Sequence, residues 1–280
     1  MIRARRVAAA ALLPLVLAWG AATGAPGDGG YLEIGLAALV EREILADLDG
    51  EPVGWAEPAP AVTLAGAWYR GRAFVEGRRG GLDGVSLGAT LLGTESRALE
   101  LLAVHLPGSV EELGYTSADA SPNVDADDRS RAASLFSRNT LFGTSGLRYR
   151  EYRGDLLLQG SAALAWKHGN GVLLGAHAAR RWQLGRWSLE GAVGLRFASA
   201  ALVDFLYGID PDEATARFPA YRAPGAPFGE AALGITRALG RDVVLRATTR
   251  ARRFGDGVTD SPLVARGTSL YAEAGVAYVF

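Results

Sequence analysis

The stretch that decides the fold is "SLYAEAGVAYVF", residues Ser269–Phe280. Drawn out as a strand, it sends Leu270, Ala272, Ala274, Val276, Tyr278 and Phe280 to one side, and Ser269, Tyr271, Glu273, Gly275 and Ala277 to the other. One side is apolar; the other is small or polar. Taken singly, an edge strand of a soluble antiparallel sheet has the same pattern, so the reading rests on whether the pattern recurs.

It does recur, with the same division of chemistry. In "WSLEGAVGLRF", Trp187, Leu189, Val193, Leu195 and Phe197 oppose Ser188, Glu190, Gly194 and Arg196. In "DVVLRATTRAR", Val243, Leu245, Ala247 and Ala251 oppose Arg246, Thr248, Arg250 and Arg252. In "YLEIGLAALVERE", Leu32, Ile34, Leu36, Ala38 and Val40 oppose Glu33, Gly35, Ala37 and Glu41. Further strands are read near 60–69, 72–91, 98–106, 139–150, 154–167, 171–182, 203–209 and 226–237. With the four above they make about twelve, within a range of ten to fourteen.

The spacing between strands alternates. "KHGNG" (167–171), "ASAAL" (198–202) and "LGRD" (239–242) read as tight turns, against long polar stretches at 44–59, 210–225 and 254–267. Short turns on one rim and long loops on the other are the habit of an outer-membrane barrel. Trp68, Trp166, Trp182, Trp187 and Phe280 fall near strand ends, where interfacial aromatics belong. Hydrocarbon cannot satisfy an open sheet edge, so the last strand is expected to pair with the first. The fold class is therefore all-β, a transmembrane antiparallel up-and-down barrel in contact with outer-membrane lipid. Its closing strand carries Leu270, Val276, Tyr278 and Phe280 outward, similar to the signal by which such proteins reach the barrel-assembly machinery.

Bulk properties agree. Arg3, Arg5 and Arg6 precede an apolar run from Val7 to Trp19, and small residues follow through Ala25, which reads as a secretory signal peptide over 1–25 and leaves 26–280 as one barrel domain. Its removal takes three arginines and no acid, moving the formal charge from −1 to −4, and nothing suggests a nucleic-acid partner. There is no cysteine, hence no disulfide and no thiolate metal site. No later apolar run is long enough for a transmembrane helix.

The inward face collects the charge. Glu33, Glu41, Glu190, Glu230 and Glu273 share it with Arg148, Arg181, Arg196, Arg246, Arg250 and Arg252. Two readings stand: an interior plugged by ion pairs, or a pore in which the arginine row from 246 to 252 favours anions. Catalytic chemistry finds little support. A membrane-embedded hydrolase needs serine and histidine together on adjacent outward strands, and of His105, His168 and His177 one lies in a turn and another faces inward. "DADDRSR" (125–131) lacks the glycine and terminal glutamate of a calcium loop. No cofactor or metal is expected.

The C-terminal third carries a family resemblance. "DFLYGIDPDEATARFPAYRAPG" (204–225), "DSPLV" (260–264) and "AGVAYVF" (274–280) together resemble the MipA/OmpV family of outer-membrane proteins, with Tyr207, Gly208, Pro219, Tyr221, Arg222, Asp260, Ser261 and Pro262 as the matching positions. "WYRGRAF" (68–74) and "GLDGVSL" (81–87) look like the family's early hairpin. The resemblance implies a cell outer-membrane barrel and a scaffold linking a murein transglycosylase to a peptidoglycan synthase. Other members are adhesins or immunogenic surface proteins, and a narrow solute channel is the further alternative. With twelve strands counted as above and periplasmic termini, the long charged connection at 107–138 falls in the periplasm. Three readings of it stand: a docking element for a murein enzyme, a plain linker, or a segment placed outside by a miscounted strand.

Overall fold

The structure is a computed structural model that describes residues 28–46, 52, 54–55, 57–77, 84–106, 143–166 and 171–280. Twelve antiparallel strands close into a barrel in which each strand pairs with its sequence neighbours and the last pairs with the first. They are β1 (Gly29–Arg42), β2 (Ala59–Arg70), β3 (Ala73–Gly77), β4 (Val85–Gly93), β5 (Arg97–Leu106) and β6 (Thr144–Arg153). The second half is β7 (Leu156–Ala165), β8 (Val172–Leu184), β9 (Trp187–Ala198), β10 (Ala226–Ala238), β11 (Val243–Phe254) and β12 (Thr268–Val279). Closure runs from Glu33↔Val279 to Arg42↔Leu270, so β12, the strand that decided the fold, shares its ladder with β1. Among the described residues no helix is long and apolar enough to cross a membrane. The strands do the crossing.

Alternation holds around the wall. Leu36, Val62, Val193 and Leu195 face outward and are more than half exposed, whereas Glu33, Glu100, Arg148, Glu230 and Arg252 face inward and are buried. The arrangement inverts that of a soluble protein, as expected where the outer solvent is hydrocarbon. Trp68, Tyr149, Trp182 and Tyr278 are exposed on the outer face toward one rim, and Trp166 toward the other.

At the rim with Trp68, the connections are short: 71–72, 94–96, 154–155, 185–186 and 239–242. Three are two-residue turns in which Gly71, Gly154 and Gly185 adopt φ of 57°, 59° and 62°, values that only glycine takes without a steric penalty. The opposite rim holds the long connections 43–58, 199–225 and 255–267. Short turns mark the periplasmic side, and β1 starts and β12 ends there.

Several expectations need correction. The strand expected at 203–209 is a helix, α1 (Ala200–Tyr207), and the strand expected over 72–91 is two, β3 and β4. The total stays at twelve because the two departures cancel. Between them, however, every connection changes sides. β5 ends and β6 begins at the long-connection rim, so the 107–138 connection, whose residues lie outside those described, joins the barrel on the outer side and not in the periplasm. Likewise "ASAAL" (198–202) is no tight turn; it opens the connection that holds α1. "KHGNG" lies outside the described residues except Gly171, and it joins β7 to β8 at the outer rim.

Candidate functional site

A barrel of eight strands is filled by its own side chains, and one of sixteen or more holds a channel. Twelve strands fall between, so the contents of the lumen decide what passes.

On one wall, β3, β5 and β6 bring together two carboxylates and two guanidinium groups. Arg148 Nε donates to Glu100 Oε2 at 2.6 Å and pairs through Nη1 with Glu76. Arg150 Nη1 donates to Glu76 Oε2 at 3.2 Å, and its Nη2 to Glu100. Tyr69 of β2 donates its hydroxyl to Glu76 Oε2 at 3.1 Å, and the Phe74 ring lies 5.2 Å from the Arg148 guanidinium carbon. Each guanidinium meets both carboxylates, so the group is neutral as a whole. Arg148 and Glu100 are each 1% exposed, which puts them out of reach of water inside what is formally a pore wall.

The opposite wall holds a second network. Glu230 of β10 forms an ion pair with Arg196 Nε at 2.6 Å and accepts a hydrogen bond from Arg252 Nη2 at 2.9 Å. Arg252 lies 5.9 Å from the rings of both Phe228 and Phe254, which stack on each other. Arg246 Nη2 donates to Glu33 Oε2 at 2.9 Å, and Arg181 Nη2 to Glu190 Oε2 at 3.1 Å. Tyr271 donates its hydroxyl to Glu273 Oε2 at 2.6 Å, with Arg250 5.3 Å from the Tyr271 ring. Seven of the eleven lumen charges named from sequence therefore pair with one another here, Arg148 joins the first network, Glu273 and Arg250 both meet Tyr271, and Glu41 faces inward, half-buried at the outer end of β1. Sequence reading missed Glu76, Glu100 and Arg150. A crevice of about 20 Å³ is left where the small side chains of β12, β1 and β2 face Glu33, Arg246 and Glu273.

Over the outer mouth sits a folded cap. Leu202 and Val203 of α1 pack with Ile44, Ala223 and Val258, the last from the short helix α2 (Asp256–Thr259). Ile209, Phe218 and Leu263 form a second apolar cluster. A Cβ placed on Gly171 would sit 2.5 Å from Leu202 Cβ, so the helix lies directly against the barrel wall. This cap is built from the family-like positions. Ser261 donates its hydroxyl to the Tyr207 carbonyl at 2.6 Å, Tyr221 donates to the Gly257 carbonyl at 3.2 Å, and the Ala223 amide donates to Asp204 Oδ1 at 2.7 Å. Gly208 ends α1 with its amide on the Asp204 carbonyl at 2.7 Å, where a Cβ would lie 2.3 Å from that oxygen. Asp260 terminates α2, while Pro262 is half-buried and Pro219 and Arg222 are exposed on the cap surface. Burial, reinforced by the Asp260 and Asp204 carboxylates, pushes the Tyr221 phenol up from its ordinary range.

One constellation expected to be absent is partly present. Ser86 Oγ lies 3.0 Å from His105 Nδ1, and Thr144 Oγ1 donates to the His105 carbonyl at 3.1 Å. The pair faces the lumen, not the lipid, and Ser86 is buried, so it stitches β4 to β5 in a region without access for a substrate. His177 also faces inward; His168 lies outside the described residues. Among the described residues no group of acids and histidines is arranged to hold a metal ion.

A closed twelve-stranded cylinder with an apolar outside and a charged inside is an outer-membrane β-barrel. The family description "MltA-interacting protein MipA" matches residues 34–280, and the chain belongs to that family. Curated relatives that it matches are named as outer-membrane proteins. It is 26% identical over 196 residues to the outer membrane protein YiaT of Escherichia coli O157:H7, covering 70% of this chain and 75% of the relative. Among solved structures it resembles the outer membrane protein OprD of Pseudomonas aeruginosa, at 10% identity and a TM-score of 0.36 over 88% of this chain and 65% of that one. It also resembles the COG4313 outer membrane channel of Pseudomonas putida F1, at 11% identity and a TM-score of 0.38 over 92% and 98%. Likenesses this distant carry no argument about transport.

Proposed function

We propose that this protein is a closed, non-enzymatic barrel that serves as an outer-membrane platform for a murein transglycosylase and, through it, a peptidoglycan synthase. The observation that carries the reading is the burial of Arg148 and Glu100 in a neutral ion-pair network inside the lumen, where a water-filled pore would leave them wet. The cap over the mouth supports the same conclusion. The partner class is taken from the family description, which names an MltA-interacting protein. Because the 107–138 connection starts and ends on the outer side, the partner contact is assigned to the periplasmic rim instead, and the outward row Leu270, Val276 and Tyr278 of β12, with Phe280 directly after it, to recognition by the barrel-assembly machinery.

The test is affinity capture of the full chain from crosslinked envelopes. Recovery of a murein transglycosylase, reduced when the periplasmic turns are replaced by Asn-Gly, is the expected result. Capture of assembly components alone, with no murein enzyme, would overturn the platform reading.

A further inference from the structure

Every short connection on the periplasmic rim has an arginine within it or at its edge: Arg72, Arg97, Arg153, Arg186 and Arg241, all exposed. Just inside this ring, Arg180 and Arg237 share the outward parity of Trp182 and Trp187, and their guanidinium carbons lie 5.7 and 5.0 Å from those indole rings. A guanidinium stacked in this way keeps its N–H edge free, and that edge matches a phosphate in two-pronged geometry. Some acids at this level are already engaged: Glu151 holds Arg97 at 3.2 Å and Arg153 at 3.0 Å, and Asp28 accepts from the Gly71 amide at 2.6 Å. Glu95, Asp155 and Asp242 are exposed beside them, yet arginines outnumber carboxylates on this rim. The described part of the outer mouth has the reverse balance, with Asp204, Asp210, Glu213, Asp256 and Asp260 against Arg217, Arg222 and Arg266.

We infer that the short-turn rim is a binding belt for anionic phospholipid headgroups of the adjoining leaflet, with Arg180 and Arg237 as its lipid-side anchors. The stacking on outward tryptophans favours lipid over a soluble partner, because it fixes the two cations on the membrane face, at headgroup level, and not on the aqueous end of the barrel. The inference rests on the barrel fold alone and is independent of the platform reading.

The experiment is native mass spectrometry of the folded full chain in detergent, with equal amounts of phosphatidylglycerol and phosphatidylcholine added. The wild type is expected to retain phosphatidylglycerol at least about fivefold over phosphatidylcholine. Arg180→Gln with Arg237→Gln should bring that ratio near unity, and Arg217→Gln with Arg222→Gln on the cap should leave it unchanged. Heat-modifiable gel mobility confirms folding, and the single variant Arg237→Gln gives a partial loss if the pair folds poorly. Equal retention by the wild type, or an undiminished ratio in Arg237→Gln, overturns the inference. So does arginine-dependent binding of soluble muropeptides in place of phosphatidylglycerol.

Discussion

The cap over the mouth and the wall beneath it sort their side chains by opposite rules. In the cap, Leu202, Val203, Phe218 and Leu263 turn inward and the acids Asp210 and Asp260 turn out. In the wall, Arg148, Glu100 and Glu230 turn inward, and Leu36, Val62 and Leu195 turn out. The same chain obeys both because the solvent differs: water bathes the cap, and hydrocarbon bathes the wall. The two regimes meet at Phe228 and Phe254, which pack against the cap's apolar cluster while holding Arg252 of the lumen network beside them.

This contrast can be broken from either side. Glu100→Ala leaves Arg148 and Arg150 to share Glu76 alone, and loss of one partner from a buried ionic group costs about 3–5 kcal/mol. The expected readout is a lower urea midpoint for the whole barrel, followed by loss of its compact gel mobility. Replacing Glu76, Glu100, Arg148 and Arg150 together with leucine should recover much of that loss, since apolar groups of similar volume leave no stranded charge. A quadruple variant less stable than Glu100→Ala would show that the network has a role beyond mutual neutralisation. From the other side, Phe218→Ala should cost about 3–5 kcal/mol, but locally. Limited proteolysis within 209–225 should accelerate while the barrel retains its mobility. A parallel collapse of the barrel would mean that cap and wall fold as one unit.

The smallest expected effect is pH-dependent. Tyr221 has its acidity weakened in the folded cap, so the folded state holds the phenol proton more tightly than the unfolded chain does. Stability conferred by that difference is complete below about pH 10, the free phenol's range, and is lost as pH rises beyond it. Proteolysis of the cap should therefore speed up above that pH in the wild type, and the rise should flatten in Tyr221→Phe.

The wall was legible in the sequence because alternation states which solvent each face meets. Glu33, Glu230, Arg246 and Arg252 were found from that parity alone. Arg150 obeys the same rule two residues after Arg148, and Glu76 two residues after Phe74. Glu100 was harder, because register shifts between β4 and β5 and between β5 and β6 blur the faces of "RALELLAVHL". The cap was legible only as a motif. "ALVDFLY" is a short apolar run, and such runs do not distinguish a strand from a helix. Taking it for a strand, while merging β3 with β4, preserved the count and reversed the topology between. The parity of a barrel is a running sum, so one miscounted turn relocates every later loop until a second error restores it.

We propose that ion pairs and cap together close this barrel. Purified full-length protein in planar bilayers tests it most directly. The wild type should show no steady conductance at neutral pH, and intermittent current is expected once Glu100→Ala and Phe218→Ala are combined. Large, stable, anion-selective current from the wild type would contradict it and would establish the arginine-lined wall as a pore.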